Sequence, residues 1–234
     1  MRREMTDDGT SRWGARKIMG NNFMDYMEVC EIWKTKLSIP EKTRLDVIPF
    51  SPAKLIECKD DYVLFPGLTQ DGANRPLTIN RIIFLCGKIP GVKFVQAKNS
   101  ILSEEAADIT KMDFVKRETC ELKWYLLRKA ILSGSLRKSF FDQEERFTGE
   151  TQIRERAVVY VYTWLIRRLL RKKLIFNEQA IWCADNGDGD LSQYQAYVHF
   201  RTNKIMIMFC DPRSARNRLG LVPSMIPDII QNPI

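Results

Sequence analysis

An unbroken apolar run extends from Ala157 to Ile166 and is followed directly by a dense group of cations, which together set the strongest limit on the fold. The run is ten residues long and includes Thr163, so it falls well short of the roughly 20 residues that a membrane-crossing helix needs. Neither glycine nor proline occurs between Thr151 and Phe176. The Val, Tyr and Trp content would also suit a strand, but the length of the uninterrupted segment favours a helix.

The rest of the chain has the composition of a globular protein with a substantial core. Of its 234 residues, 44% are hydrophobic and 10% aromatic, which excludes intrinsic disorder as the dominant state. It has 37 Lys and Arg against 29 Asp and Glu, giving a formal net charge of +8. Because the first residues are polar and charged, we expect a cytoplasmic or nuclear protein without a signal peptide or transmembrane segment.

Cysteine and histidine usage argues against metal sites and disulfides. Six cysteines are scattered singly along the chain, without any Cys-x-x-Cys pair, so we expect buried free thiols. His199 is the single histidine, which removes the zinc sites that depend on paired histidines. Phosphate loops of the GxxxxGK[ST] and GxGxxG types are also absent. We therefore predict no structural metal and no cofactor.

Patterning along the chain predicts an α+β fold, in which several helices pack on a mostly antiparallel sheet. The clearest part is a C-terminal β-meander with a tight second hairpin, predicted over 179–184, 193–201 and 204–210. The predicted organisation is a flexible basic arm over 1–20, a single α+β domain over 21–211, and a surface-lying basic, Pro-punctuated tail over 212–234.

Other elements follow from the spacing of apolar residues and from turn residues. Helices are predicted over 22–37, 76–86 and 113–132, with Pro76 in a first turn and Gly87 and Gly134 as stops, and a short helix begins at Ser103. Brief strands are predicted at 45–48, 53–58, 62–65 and 92–97, separated by prolines and short turns.

Three features suggest enzymatic chemistry but give weak signals. The acidic run 185–190, Asp-Asn-Gly-Asp-Gly-Asp, fails the calcium-loop template and is interpreted as a polar hairpin loop. Glu121 and Lys123 match the end of a nuclease pattern, but on the predicted helix they would point about 200° apart. His199 has no nucleophile paired with it and is interpreted as a surface or half-buried strand residue.

Positive charge is the remaining functional signal. Residues 167–173, Arg-Arg-Leu-Leu-Arg-Lys-Lys, hold five cations in seven positions, and Arg137 and Lys138 add a second group. On a helix, the arginines continue the line of the preceding apolar residues, so the helix would dock its first half in the core and present its second half to a partner. The competing interpretation is a solvated helix end whose cations answer the helix dipole.

We therefore predict a non-enzymatic structural or accessory protein that binds a polyanion, RNA above all. The contacts to phosphate would come from a basic helix and a nearby pair: Arg167, Arg168, Arg171, Lys172 and Lys173, with Arg137 and Lys138. No familiar RNA-binding module is recognisable.

Two alternatives stay open. A peripheral, matrix-like assembly protein on an anionic membrane surface would use the apolar residues interleaved with the same cations: Leu169, Leu170, Leu174, Ile175 and Phe176. A metal-dependent enzyme built on the acidic run is the third hypothesis. The sequence leaves open whether the chain forms a homo-oligomer.

Overall fold

The structure, a computed structural model, describes residues 9–87, 93–94, 109–202 and 204–229. Its helices are α1 (Arg12–Met19), α2 (Tyr26–Trp33), α3 (Ile39–Asp46), α4 (Pro52–Cys58), α5 (Ile79–Cys86), α6 (Asp113–Arg117), α7 (Phe140–Phe147) and α8 (Ala157–Arg171). Its strands are β1 (Thr10–Ser11), β2 (Val47–Ile48), β3 (Tyr62–Pro66), β4 (Lys93–Phe94), β5 (Trp124–Arg128), β6 (Gln152–Arg154), β7 (Ala180–Asn186), β8 (Gln195–Arg201), β9 (Lys204–Cys210), β10 (Leu219–Gly220) and β11 (Pro223–Met225).

The described strands form two larger sheets and one antiparallel pair, β1 with β2. One sheet has the order β3-β5-β11-β6 and is antiparallel throughout. The other has the order β10-β7-β8-β9-β4, with parallel pairing of β10 to β7 and of β4 to β9. Both the α+β fold and the antiparallel C-terminal meander are therefore confirmed.

Helix α8 lies between the two larger sheets. The Tyr162 hydroxyl donates a 3.1 Å hydrogen bond to the Pro66 carbonyl in β3, whereas the Trp164 ring stacks on Phe200 in β8. Every residue from Ala157 to Arg167 is buried, which explains why the helix is apolar on all sides. The helix predicted here is confirmed, although β6 precedes it. No helix in the described ranges is long and apolar enough to cross a membrane.

The flexible arm predicted over 1–20 is wrong for its described residues. Ser11 caps α1 by accepting a hydrogen bond from the Gly14 amide, and Ala15 and Met19 are buried. Arg12 forms a 2.7 Å ion pair with Asp25, the N-cap of α2. The charges that suggested a solvated arm thus help attach this helix to its neighbours.

The surface tail predicted over 212–234 is also wrong where the chain is described. Strand β11 lies between β5 and β6, and β10 extends the other sheet. Leu221 and Val222, between these two strands, are fully buried. The core includes Ala15 and Met225, so it extends beyond both ends of the predicted domain at 21–211.

The long helix predicted over 113–132 is replaced by two elements. Helix α6 ends at Arg117, and β5 lies inside the four-stranded sheet with Trp124, Tyr125, Leu126 and Leu127 all buried. A strand covered on both faces has a continuous apolar sequence, which period alone cannot distinguish from a buried helix.

Of the two strands predicted between 45 and 58, the second is helical throughout and the first is helical over its first half. Leu45 belongs to α3 and residues 53–58 to α4, and of the first predicted strand β2 alone remains. Ser38 and Ser51 cap these helices, with prolines in their first turns. From the sequence, Pro40 is expected to mark the end of the helix over 22–37 and Pro52 to separate two strands, but a first helical turn accommodates proline well. The strand predicted at 62–65 is confirmed as β3.

The remaining helix predictions are partly confirmed. The helix predicted over 22–37 is the shorter α2. It ends at Trp33, and the next residue, Lys34, adopts the left-handed conformation. That predicted over 76–86 is α5, capped by Thr78, so Pro76 lies before it. The predicted helix at Ser103 lies outside the described residues, and of the predicted strand 92–97 the structure describes β4.

All six cysteines are free thiols, as predicted. Five are buried and Cys30 is half-buried.

Candidate nucleic-acid interface

The structure separates the five predicted cations of α8 into two groups. Arg167, which is 4% exposed, donates from Nη2 to Asn22 Oδ1 at 2.9 Å and from Nη1 to the Asn21 carbonyl at 3.3 Å. Burial lowers the pKa of the Arg167 guanidinium, and the neighbouring Arg171 lowers it further. Arg167 therefore helps attach α8 to the turn after α1.

Arg171 has the same kind of role one turn later. Its guanidinium donates to both carboxylate oxygens of Glu28 at 2.9 and 3.0 Å, and to the Phe23 carbonyl at 2.6 Å. Arg168 lies over the Trp164 ring and donates to the Thr202 carbonyl at 3.1 Å. The expectation that the three arginines project together towards a partner is therefore wrong, because each contacts the fold itself.

Lys172 and Lys173 form the second group and are exposed. Lys172 ends α8 in the left-handed conformation, with a φ of 54°, and its amide donates to the Arg168 carbonyl. Arg137 is exposed as well, whereas Lys138 is half-buried beside Ser139, the N-cap of α7.

A cleft that no sequence pattern indicates lies on the far side of the five-stranded sheet from α8. It has a volume of about 550 Å³. Its charged or titratable side chains are Glu178, His199, Arg201 and Arg218, and its apolar wall includes Ile131, Leu132 and Leu136. We call this site the basic cleft.

Strand register assembles the basic cleft. Phe200 in β8 packs towards α8, so His199 and Arg201 emerge on the opposite face. His199 pairs with Ala180 in β7, and Ala180 pairs in turn with Leu219 in β10. Two strand spacings of about 4.8 Å therefore separate His199 from the chain beside Arg218.

The electrostatic environment of His199 is positive. Its imidazole is half-buried, as predicted for a strand histidine, and burial lowers its pKa. Arg201 lowers the pKa further, Glu178 opposes this, and Arg218 adds to the lowering. Within the described chain, no carboxylate forms an ion pair with Arg201 or Arg218, so the cleft holds uncompensated positive charge.

Lys129 connects this cleft to the end of α8. Burial lowers the pKa of its ammonium group, and the nearby Arg167 and Lys173 lower it further, while Asp61 and Asp60 oppose this. Two residues on, the Ile131 amide donates to Gln179 Oε1 at the cleft wall. We define the basic face as Lys129, Arg137, Lys172, Lys173, Arg201 and Arg218.

The apolar residues that the membrane alternative requires are used inside the protein. Ile175 and Phe176 are buried in the core. Leu169, Leu170 and Leu174 are partly buried and pack against it. A membrane surface would therefore meet the charges of this region without the apolar side chains interleaved in the sequence.

The acidic run does not act wholly as a hairpin loop. Asp185 belongs to β7, is 8% exposed and accepts a 2.6 Å hydrogen bond from the Ala157 amide at the start of α8. The Asp188 carboxylate accepts a hydrogen bond from the Asp113 amide, which begins α6. Both side chains thus satisfy helix N-termini, and the described residues contain no group of three His, Cys, Asp or Glu suited to a metal ion.

The nuclease pattern also lies in an unexpected setting. Glu121 and Lys123 directly precede β5 and form a 3.0 Å ion pair, so the argument that a helix separates them is wrong. The nearby Glu155 is buried, and burial raises its pKa to about 7, while the charges of Lys123 and Glu121 act on it in opposite directions. This third group is therefore enclosed in the core.

Comparisons with protein-family models, with curated proteins and with solved structures found no match.

Proposed function

We propose that this protein binds single-stranded RNA through the basic face and does not act on it as an enzyme. The observation that carries the proposal is that most cations of the basic face have no acidic partner within the described protein. In the described chain, no ion pair is formed by Arg137, Lys172, Lys173, Arg201 or Arg218. Several arginines elsewhere are paired, such as Arg12 with Asp25 and Arg154 with Glu144.

Cations without an intramolecular ion pair favour a polyanion, because binding releases the counterions condensed on its phosphates. The basic face draws on three segments: the end of α8, the loop after β5, and the sheet around the basic cleft. This extent suits a chain of phosphates better than a single anion. The apolar wall at Ile131, Leu132 and Leu136 supports a single strand, whose unpaired bases can pack on such surfaces.

The test is a salt series of fluorescence anisotropy with a single-stranded RNA that carries a 5′-hydroxyl end. The variant replaces Arg137, Lys172 and Lys173 with glutamine, since none of them forms an ion pair within 9–87, 93–94, 109–202 and 204–229. If each contacts one phosphate, the slope of log K against log salt should fall by about 2, at about 0.7 per phosphate.

The matched control replaces three exposed cations on and beside α3, Lys36, Lys42 and Arg44, with glutamine. It changes the net charge equally and should leave the slope close to that of the wild type. Equal loss in both variants would show non-specific attraction to a basic protein, and an unchanged slope in the test variant would remove the basic face from RNA binding. If anionic vesicles displace the RNA completely from the protein, the membrane alternative is favoured.

A further inference from the structure

A fully ionised phosphate monoester, which carries two negative charges, would neutralise the positive charge of the basic cleft. Arg201 and Arg218 carry one positive charge each, and Glu178 carries one negative charge, so the cleft is singly positive while His199 is neutral. Protonation of His199 makes it doubly positive. A dianion placed among these groups would balance that charge and would favour the protonated imidazole.

The neutral groups of the cleft suit the same ligand. The Ser133 and Gly134 amides have no intramolecular acceptor within the described chain, and Gly134 adopts a φ of 81°, where glycine is favoured. Backbone amides and arginine guanidinium groups are strong donors to phosphate oxygens. The apolar wall beside them can contact the sugar or base that carries the phosphate.

We propose that the basic cleft binds the terminal phosphate monoester of a nucleotide or RNA strand, and that His199 takes up a proton when it does so. This inference rests on the proposed RNA-binding function and assigns it a preference for a phosphorylated strand end. An internal phosphodiester carries one negative charge, so it would leave the protonated cleft with a net positive charge. A terminal monoester carries up to two near neutral pH.

The chain offers a direct probe, because His199 is its single histidine and its imidazole proton resonances need no separate assignment. The pKa of His199 is measured by proton NMR, first with the free protein and then with saturating AMP at constant ionic strength. AMP should raise the pKa by about one unit, equivalent to about tenfold tighter binding to the protonated form. Adenosine, which lacks the phosphate, should leave it unchanged.

Two further probes test the ligand class and the residues. The dinucleotide ApA, which has a diester alone, should raise the His199 pKa by less than half as much as AMP. Replacing Arg201 and Arg218 with glutamine should abolish the AMP-induced rise. The matched control, Arg213→Gln, removes a charge from the same basic segment, where Arg213 pairs with Asp211, and should keep the rise.

An AMP-bound pKa equal to that of the free protein, or equal rises with AMP and ApA, would overturn the inference. An undiminished AMP-induced rise of the His199 pKa in the variant that lacks Arg201 and Arg218 would overturn it as well. If that variant fails to fold, the comparison of AMP, adenosine and ApA on the wild type decides alone. Salt-dependent binding of the 5′-hydroxyl RNA without any AMP response would overturn this inference and leave the proposed function standing. Absence of that RNA binding would overturn the proposed function instead.

Discussion

Replacing Arg171 with glutamine tests whether the cationic end of α8 contains structural residues. The substitution removes hydrogen bonds to both Glu28 oxygens and to the Phe23 carbonyl. Hydrogen bonds to charged groups contribute about 1.5–3 kcal/mol, but the Arg171 and Glu28 side chains are 15% and 29% exposed, so solvent compensates part of the loss. We expect a loss of about 2–3 kcal/mol of unfolding free energy, or roughly 5–10 °C in Tm for a chain of this size.

Lys172→Gln is the matched control, since it removes a neighbouring charge that forms no ion pair with any residue the structure describes. Its effect should stay within about 0.5 kcal/mol. Urea unfolding of the wild type, Arg171→Gln, Glu28→Gln and the double variant forms a double-mutant cycle. The expected coupling between Arg171 and Glu28 is about 1–2 kcal/mol.

The pH dependence provides an independent check. Burial opposes ionisation of Glu28, but the hydrogen bond from Arg171 and other favourable contacts keep its pKa below the ordinary value of 4.5. Stability from the ionised carboxylate is therefore present above pH 4.5 and is lost as the pH falls through the lower folded-state pKa. The difference between wild type and Arg171→Gln should narrow in that range. Equal stability of Arg171→Gln and Lys172→Gln at pH 7, or zero coupling, would refute the structural role.

Three further predictions concern the core. Tyr160→Phe should cost about 1–3 kcal/mol, because the buried hydroxyl donates to the Val222 carbonyl at 2.7 Å; urea unfolding that matches the wild type would contradict this contact. Burial raises the pKa of Glu155 from 4.5 to about 7, so its contribution to stability should fall as pH rises through this window, by on the order of 3 kcal/mol. Glu155→Gln should remove that fall in unfolding experiments at pH 5 and pH 8, and an unchanged pH dependence would contradict the assignment. Native protein should react slowly with iodoacetamide at pH 8, since burial raises the pKa of Cys30, the half-buried thiol, to about 11; fast labelling by mass spectrometry would contradict it.

The elements that the sequence predicted correctly are those whose pattern fits one kind of secondary structure better than the other. The C-terminal meander alternates or runs apolar between clear turn residues, and α8 is too long without a break for a strand. The failures at 45–58 and 113–132 have different causes: the first follows from prolines that lie in first helical turns, and the second from a buried strand whose continuous apolar sequence also suits a helix. Serine caps before Pro40 and Pro52 gave a local signal that identifies α3 and α4 as helices.

The candidate site was predictable to a smaller degree. Local charge density identified Lys172, Lys173 and Arg137, which are exposed. It did not reveal that Arg167 and Arg171 contact a segment about 140 residues earlier in the chain. The basic cleft depends on register across β10, β7 and β8, which brings Arg218 near His199. The β7–β8 pairing belongs to the predicted meander, but the pairing of β10 with β7 joins Leu219 to Ala180 across the whole meander, so the sequence gives no sign of it.

The division between arginine and lysine at the end of α8 follows from their chemistry. Arginine keeps its charge when buried and presents a planar group with five donors, so one side chain can satisfy a carboxylate and a backbone carbonyl together. Arg171 does this with Glu28 and Phe23, and Arg167 similarly serves Asn21 and Asn22. Lysine has a compact, strongly hydrated ammonium group, which favours exposed positions. At the end of α8, the arginines therefore stabilise the fold, and the exposed lysines stay available for the proposed polyanion.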